Sequence, residues 1–143
     1  MSPADRETLL KKLTYLRRTL ERLHTQRKLT EEQFLADTML QSAVERLLQT
    51  ALESVFDSAR LLVTIDNLRN TKDEREAIEI LGLKGLLPEE LVSHLTEAKK
   101  FRNVLVHVYA DVDPHIVYRQ LMDGFPDLEW FSRCLAQHLK VEE

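Results

Sequence analysis

One stretch of the sequence, from Thr30 to Asn70, shows no interruption of a helical pattern, and it constrains the fold most strongly. Thr30 and Gln33 form a predicted capping box that starts a helix, and Asp37 can start it again after a short bend. One wide face of the stretch is apolar: Leu40, Val44, Leu47, Leu48, Ala51, Val55, Ala59 and Leu62. A helix this long and this apolar on one side is expected to be the spine of a helical bundle.

Further helices are predicted on both sides of this spine. Leucines spaced alternately by four and three predict a helix over residues 3–28 with an apolar seam: Leu9, Leu13, Leu16, Leu20 and Leu23. A short helix is expected at 73–82, terminated by Gly82 and Gly85, and a longer one begins at Pro88 and continues through residue 109. Asp113 and Pro114 predict the start of a helix at 114–122. Gly124 and Pro126 are expected to break it before a last helix at 127–140.

The composition agrees with an all-α protein. The chain has 143 residues, with only 3 Gly and 4 Pro, while Leu, Glu, Arg and Ala are abundant. Hydrophobic residues make up 43% and charged residues 31%, a globular balance. We therefore predict a single domain over residues 1–143, folded as an antiparallel helical bundle.

Charge, cysteine content and hydropathy exclude several classes of protein. No apolar run approaches the roughly 20 residues of a membrane span, and the N-terminus lacks the apolar core of a signal peptide. Cys134 is the only cysteine, so no internal disulfide can form, and a cytoplasmic protein is expected. The net charge of −4 argues against bulk electrostatic binding of nucleic acid. Residues 1–28 are basic, which indicates either a solvated helix face or an arm facing RNA or a partner.

The segment from Phe101 to Tyr109 carries the residues best suited to chemistry. Arg102 can bind a phosphate through charge-assisted hydrogen bonds, and His107 can transfer a proton near neutral pH. The Tyr109 hydroxyl can donate, accept or be modified. Phe101, Val104, Leu105 and Val108 form an i, i+3, i+4, i+7 stripe that predicts packing against the core.

On a straight helix these polar residues do not converge. Arg102 and Tyr109 lie on one flank of the stripe, and Asn103 and His107 lie on the other. Either the helix unwinds near His107, or a second copy of the chain completes the site across a two-fold axis. We favour the second, because a two-fold interface sets one patch against its own copy. The plainer interpretation is that His107 is a structural histidine beside an apolar stripe.

The motif Arg-x4-His-x-Tyr, formed by Arg102, His107 and Tyr109, resembles the signature of the HepT toxins within the HEPN group of helical ribonucleases. The resemblance extends over about residues 35 to 125. It includes the segments Asp-Thr-Met-Leu at 37–40, Ala-Leu-Glu at 51–53, Asp-Ser-Ala at 57–59, Leu-Leu-Pro-Glu-Glu-Leu at 86–91 and Tyr-Ala-Asp-Val-Asp-Pro at 109–114. It implies a HEPN-like bundle, a two-fold homodimer, and a metal-independent RNA endonuclease that is the toxin of a type VII toxin–antitoxin system.

The chemistry of RNA cleavage, taken with this resemblance, indicates roles for individual residues. His107 would transfer the proton, and Arg102 would stabilise the charged phosphate. Asn103 is expected to bind the phosphate or to position His107, and Lys99 and Lys100 either contact phosphate or are simply solvated. No metal or other cofactor is expected: His107 and Asp111 are four apart but lack a convincing third ligand.

Two carboxylates on the long helix, Glu53 and Asp57, are candidates to orient Arg102 by charge pairing. The alternative is that they are ordinary surface carboxylates, with Asp57 facing solvent or Arg60. In the family, a minimal nucleotidyltransferase antitoxin (MntA-like) transfers AMP to the motif tyrosine, here Tyr109. The partners implied are therefore RNA, this antitoxin and a second copy of the chain, with a hetero-oligomer possible and neither DNA nor a membrane expected.

Three other functions are also compatible with the sequence. The chain can be a non-catalytic HEPN module that binds nucleotides or RNA without cutting, since a fold can persist after an activity is lost. It can be a purely structural interaction protein whose leucine-rich first helix docks a partner. Tyr109 can also be the substrate in a signalling pair that involves no toxin.

Overall fold

A computed structural model describes residues 1–66, 71, 73–107 and 112–142, and the side chain of His107 is outside this description. The described residues form seven α-helices, one π-helical segment and no strand. Their bounds are α1 Pro3–Gln26, α2 Glu31–Leu35, α3 Thr38–Ile65, α4 Glu74–Leu83, α5 Glu89–His107, α6 Pro114–Arg119, the π segment Gln120–Gly124 and α7 Phe125–Leu139. The predicted all-α bundle is confirmed, and none of these helices is long and apolar enough to cross a membrane.

Helix α3 is the spine of the bundle and packs against α1, α4, α5 and α7. Its predicted apolar face is confirmed: six of the eight residues are buried, and Leu40 and Leu47 pack partly buried against the core. The leucine seam of α1 is also confirmed, since all five leucines are buried. Four phenylalanines fill the centre of the core: Phe34, Phe56, Phe125 and Phe131. The last helix, α7, contacts both α1 and α5 and is therefore also a main member of the bundle.

Capping side chains place most helix starts where the sequence predicted them. The Thr30 and Gln33 side chains bond each other's backbone N–H, as a capping box requires. The chain then bends at Ala36, and the Asp37 carboxylate accepts from the N–H of Leu40 to start α3. Asp113 caps α6 by accepting from the N–H of His115. Local sequence alone therefore determines these boundaries.

Gly82 does not terminate α4, which continues to Leu83, so this prediction was wrong. A Cβ atom on Gly82 would lie 2.7 Å from Cγ2 of Val92, so the glycine permits α4 and α5 to approach closely. Gly85, at φ +79°, provides the left-handed turn that follows the helix.

Gly124 and Pro126 do not interrupt the helix between α6 and α7, contrary to the prediction. A π segment joins the two helices into one continuous helical rod. In an α-helix, residue 126 would donate its N–H to the carbonyl of Met122, and proline has no N–H to donate. That carbonyl instead accepts a hydrogen bond from Arg27 Nη2 at 3.0 Å. The Arg27 guanidinium also lies 4.6 Å from the Phe125 ring centroid. The side chain of Arg27, the residue that follows α1, thus replaces the missing helical bond.

Candidate functional site

Arg102 lies on α5, and three neighbours fix the plane of its guanidinium group. Its Nη2 donates to Oε2 of Glu74 at the start of α4, and its Nε donates to Oδ1 of Asn103 at 3.2 Å. Its Cζ lies 5.4 Å from the centroid of the buried Phe56 ring, within the range of a cation–π contact. Only 15% of the Arg102 side chain and 15% of the Glu74 side chain are exposed. This arginine is therefore held in place and is not a freely moving surface cation.

Glu53 and Asp57 do not orient Arg102 in this structure. Glu53 accepts a hydrogen bond from Gln49 at 3.0 Å, and Asp57 pairs with Arg60 at 2.7 Å, the alternative that the sequence left open. Both carboxylates line a groove that also contains residues of α1. Arg102 pairs instead with Glu74 of α4, because α4 packs against α5 and places this carboxylate beside the guanidinium.

The two lysines predicted to bind phosphate lie in different environments. Lys99 is 28% exposed, and its Nζ lies 3.4 Å from Oδ1 of Asp73, the residue before Glu74. Burial by itself would raise the pKa of Asp73, but hydrogen bonds from Lys99 and from the Arg75 N–H lower it overall. Lys100 is exposed and pairs, within the described part of the chain, with Glu97, one turn earlier on the same helix. Lys99 therefore belongs to the α4–α5 contact, and Lys100 belongs to the surface.

The backbone of α5 remains α-helical through His107. On this helix, positions 102 and 107 point roughly 140° apart at 100° per residue. The predicted site at Tyr109 and the possible metal ligand Asp111 lie outside the described residues. Within one chain, the helix therefore does not unwind before His107 to bring it beside Arg102.

The predicted apolar stripe of α5 is only partly correct. Phe101 is buried and Leu105 is partly buried against the core, but Val104 is 42% exposed. Val106 is equally exposed, and Val108 lies outside the described residues. Two valines in the last described turns of the motif helix are thus each 42% exposed, at positions about 160° apart around its axis.

Sequence reasoning missed a second polar contact of α5. His94 Nδ1 lies 2.8 Å from Asp127 Oδ1 at the start of α7, and this hydrogen bond raises the pKa of His94. The pair lines a groove that also contains Glu97, Asp123 and the π-segment residue Gln120. The carboxylates make this groove unsuitable for phosphate. The separation of 33 residues explains why no local pattern indicated the pair.

Proteins of known activity resemble this chain over most of its length. The tRNA nuclease HepT of Aphanizomenon flos-aquae is 27% identical over 128 residues, covering 90% of this chain and 87% of that protein. The mRNA nuclease HepT of Shewanella oneidensis is 25% identical over 125 residues, covering 87% and 93%.

The fold has also been seen in a solved complex. The tri-AMPylated Shewanella oneidensis HEPN toxin, in complex with the MNT antitoxin, superposes with a TM-score of 0.80. That match is 24% identical and covers 90% of this chain and 96% of the toxin. The sequence model of the ribonuclease HepT-like family matches residues 10–135. The chain belongs to the ribonuclease HepT-like family.

Proposed function

We propose that this chain is a metal-independent RNA endonuclease and the toxin of a toxin–antitoxin pair. The observation that carries the proposal is the arrangement of Arg102, the first residue of the Arg-x4-His-x-Tyr motif. Its guanidinium is bonded to Glu74 and Asn103 on the side formed by Nε and Nη2. The opposite end of the guanidinium makes no hydrogen bond to the described part of the chain, and two parallel N–H groups there suit a phosphate.

The chemistry needs only the RNA and two side chains. His107 removes the proton from a ribose 2′-hydroxyl, whose oxygen attacks the adjacent phosphorus. The bond to the 5′-oxygen breaks, and that oxygen takes a proton as it leaves. Arg102 stabilises the negative charge that develops on the phosphorane oxygens. The products are a 2′,3′-cyclic phosphate and a 5′-hydroxyl.

Support for this activity comes from the similar proteins. One is a tRNA nuclease and the other is an mRNA nuclease, and both align with about nine-tenths of this chain. The substrate class that we propose is therefore RNA, with neither of these two kinds of RNA preferred.

We further propose that a second copy of the chain completes the site. Because the backbone of α5 stays helical through residue 107, positions 102 and 107 of one copy lie about 140° apart around the helix axis. Val104 and Val106 are both exposed on the same helix, about 160° apart around its axis, so either of the two sides can supply apolar surface for a two-fold contact. In that arrangement His107 of each copy can lie beside Arg102 of the other.

Inactivation is proposed to occur at Tyr109. An MntA-like nucleotidyltransferase would transfer AMP from ATP: the phenolic oxygen attacks the α-phosphorus, pyrophosphate leaves, and the phenol proton is lost. The toxin in the superposed complex is AMPylated and is bound to an antitoxin of the MNT class. An added phosphate and nucleoside near Arg102 would occupy the place of RNA and repel its phosphates.

The test uses the purified chain, after its mass has shown that Tyr109 is unmodified. It is incubated with total RNA in EDTA beside His107→Ala and the matched control His115→Ala, which removes a histidine outside the motif whose side chain is 58% exposed. We expect the parent chain and the control to cut RNA and His107→Ala to be inactive. Equal cleavage by all three would show that another site or a contaminant is responsible.

The remaining outcomes identify the alternatives. RNA binding without cleavage by the parent chain would establish the non-catalytic HEPN module. Cleavage that needs added magnesium and leaves 3′-hydroxyl ends would contradict the mechanism.

A further inference from the structure

We propose that Glu74 is a positioning residue for RNA cleavage, which holds Arg102 so that one end of its guanidinium faces the scissile phosphate. This inference rests on the nuclease function proposed above. Glu74 has no place in the Arg-x4-His-x-Tyr motif and is 28 residues away from Arg102 in the chain.

Glu74 differs in its surroundings from Glu79, another carboxylate of α4. Glu79 pairs with Arg75 on α4, and their side chains are 49% and 67% exposed. Such solvated ion pairs contribute little to stability or to orientation. The Glu74–Arg102 pair is largely removed from solvent, so its geometry is held much more firmly.

The hydrogen bonds of Arg102 leave one end of its guanidinium group without a described partner. Glu74 and Asn103 occupy Nη2 and Nε, which lie along one side of the planar group. The Phe56 ring lies against the guanidinium. The position that these contacts leave open is the end formed by Nη1 and the second N–H of Nη2, which is a two-pronged donor for phosphate oxygens.

Helix α4 supports Glu74 firmly, because it is packed along its length. Ala77, Ile78 and Leu81 bury one face of this short helix in the core. At its other end, Gly82 permits close contact with Val92 of α5. Asp73, next to Glu74, forms a second ion pair with α5 through Lys99. The carboxylate of Glu74 therefore lies on a helix that contacts α5 at both of its ends.

Two conservative variants separate positioning from charge balance. Glu74→Gln keeps the length of the side chain and an oxygen that accepts from Arg102, but removes the negative charge. Glu74→Asp keeps the charge but shortens the side chain by one methylene, which withdraws the oxygen from the guanidinium. If Glu74 positions Arg102, kcat should stay within about threefold of the parent chain in Glu74→Gln. In Glu74→Asp it should fall about tenfold or more, because small displacements of a catalytic group reduce rates strongly.

The measurement is kcat and KM for RNA cleavage, at a temperature well below the melting temperature of every variant. Glu79→Gln and Glu79→Asp are the matched controls and should leave both constants unchanged. We expect the loss in Glu74→Asp to fall on kcat, with KM changed less than threefold, because the charge near the RNA is kept.

Three results would overturn the inference. A kcat that is higher in Glu74→Asp than in Glu74→Gln would mean that charge balance is what matters. Unchanged kcat in both variants would mean that Arg102 needs no such support. A parent chain that does not cut RNA would overturn the nuclease itself, and this outcome is distinct from the other two because the parent chain is measured first.

Discussion

His94 Nδ1 lies 2.8 Å from Asp127 Oδ1, and this bond ties the motif helix α5 to the start of α7. Both residues lie on well-packed helices, since α5 buries Leu91 and Leu95 and α7 buries Leu128. The pair is therefore a polar link between two core helices. Its histidine lies two to three turns before Arg102 on α5.

Stability should depend on pH through this pair. The hydrogen bond to Asp127 raises the pKa of His94 above 6.5, and the charge of Glu90 acts in the same direction. A raised pKa means that the folded state binds the proton more tightly, so the stabilisation is fully present below pH 6.5 and is lost as pH rises through the raised pKa. Urea unfolding should show the gap between the parent chain and Asp127→Asn shrinking as pH rises. In a His94→Gln background the same substitution should show no such trend, and a gap independent of pH would contradict the assignment.

Gly82→Ala should destabilise the protein, although alanine favours a helix more than glycine does. The new Cβ would meet Cγ2 of Val92 at 2.7 Å, and overpacking of this kind costs roughly 1–3 kcal/mol. Adding Val92→Ala should remove the clash and recover most of the loss. The free energy of unfolding from denaturant titration, measured for both singles and the double, checks this coupling. Additive effects would show that the two side chains do not meet.

Lys140→Gly should stabilise the protein. Lys140 is the residue that follows α7, and its φ of 58° is a left-handed conformation that disfavours residues with a Cβ atom. The N–H of Val141 donates to the carbonyl of Ala136 and closes the turn. Glycine there should raise the free energy of unfolding by about 0.5–1 kcal/mol, visible as a higher melting temperature. Lys140→Ala, which removes the charge but keeps the Cβ, should give no comparable gain.

Tyr109→Phe should keep nuclease activity and escape inactivation by the antitoxin. The phenylalanine ring has no hydroxyl to accept AMP, while Arg102 and His107 are unchanged. Intact-mass measurement after incubation with an MntA-like enzyme and ATP should show AMP added to the parent chain and not at position 109 of the variant. If the antitoxin still silences Tyr109→Phe, inhibition does not depend on modification of this tyrosine. Tyr15 and Tyr118 serve as internal controls for modification elsewhere.

Helix starts and the core were predictable from the sequence because their causes are local. A capping box at Thr30 and Gln33 is complete within four residues, and the leucine seam of α1 repeats within each turn. The junction at Pro126 was not predictable in the same way. Proline and glycine usually stop a helix, and here the rod continues because Arg27, distant in sequence, satisfies the freed carbonyl of Met122.

For the candidate site, the motif itself was visible and its support was not. Glu53 and Asp57 were plausible partners of Arg102 because they lie on the predicted spine, yet the structure pairs them with Gln49 and Arg60. The choice of Glu74 depends on how α4 packs against α5. The helical periodicity of α4 and of α5 shows which face of each helix is buried, but it does not show which residues of the two helices meet.

The π segment has a consequence for how related chains can differ in length. Val117, Leu121 and Phe125 are all buried at spacings of four; each such step drifts by 40° around an α-helix, and the wider π turn reduces this drift. The widened turn at Gln120–Gly124 absorbs the surplus residue, so the helices on both sides still direct their apolar faces to the core. Evolution could therefore remove one residue here without disturbing the register of either neighbour, whereas the same deletion within α3 or α5 would rotate every side chain beyond it. A gap at these five positions in a relative would mark a change in the shape of this rod and would leave the alignment of Arg102 intact.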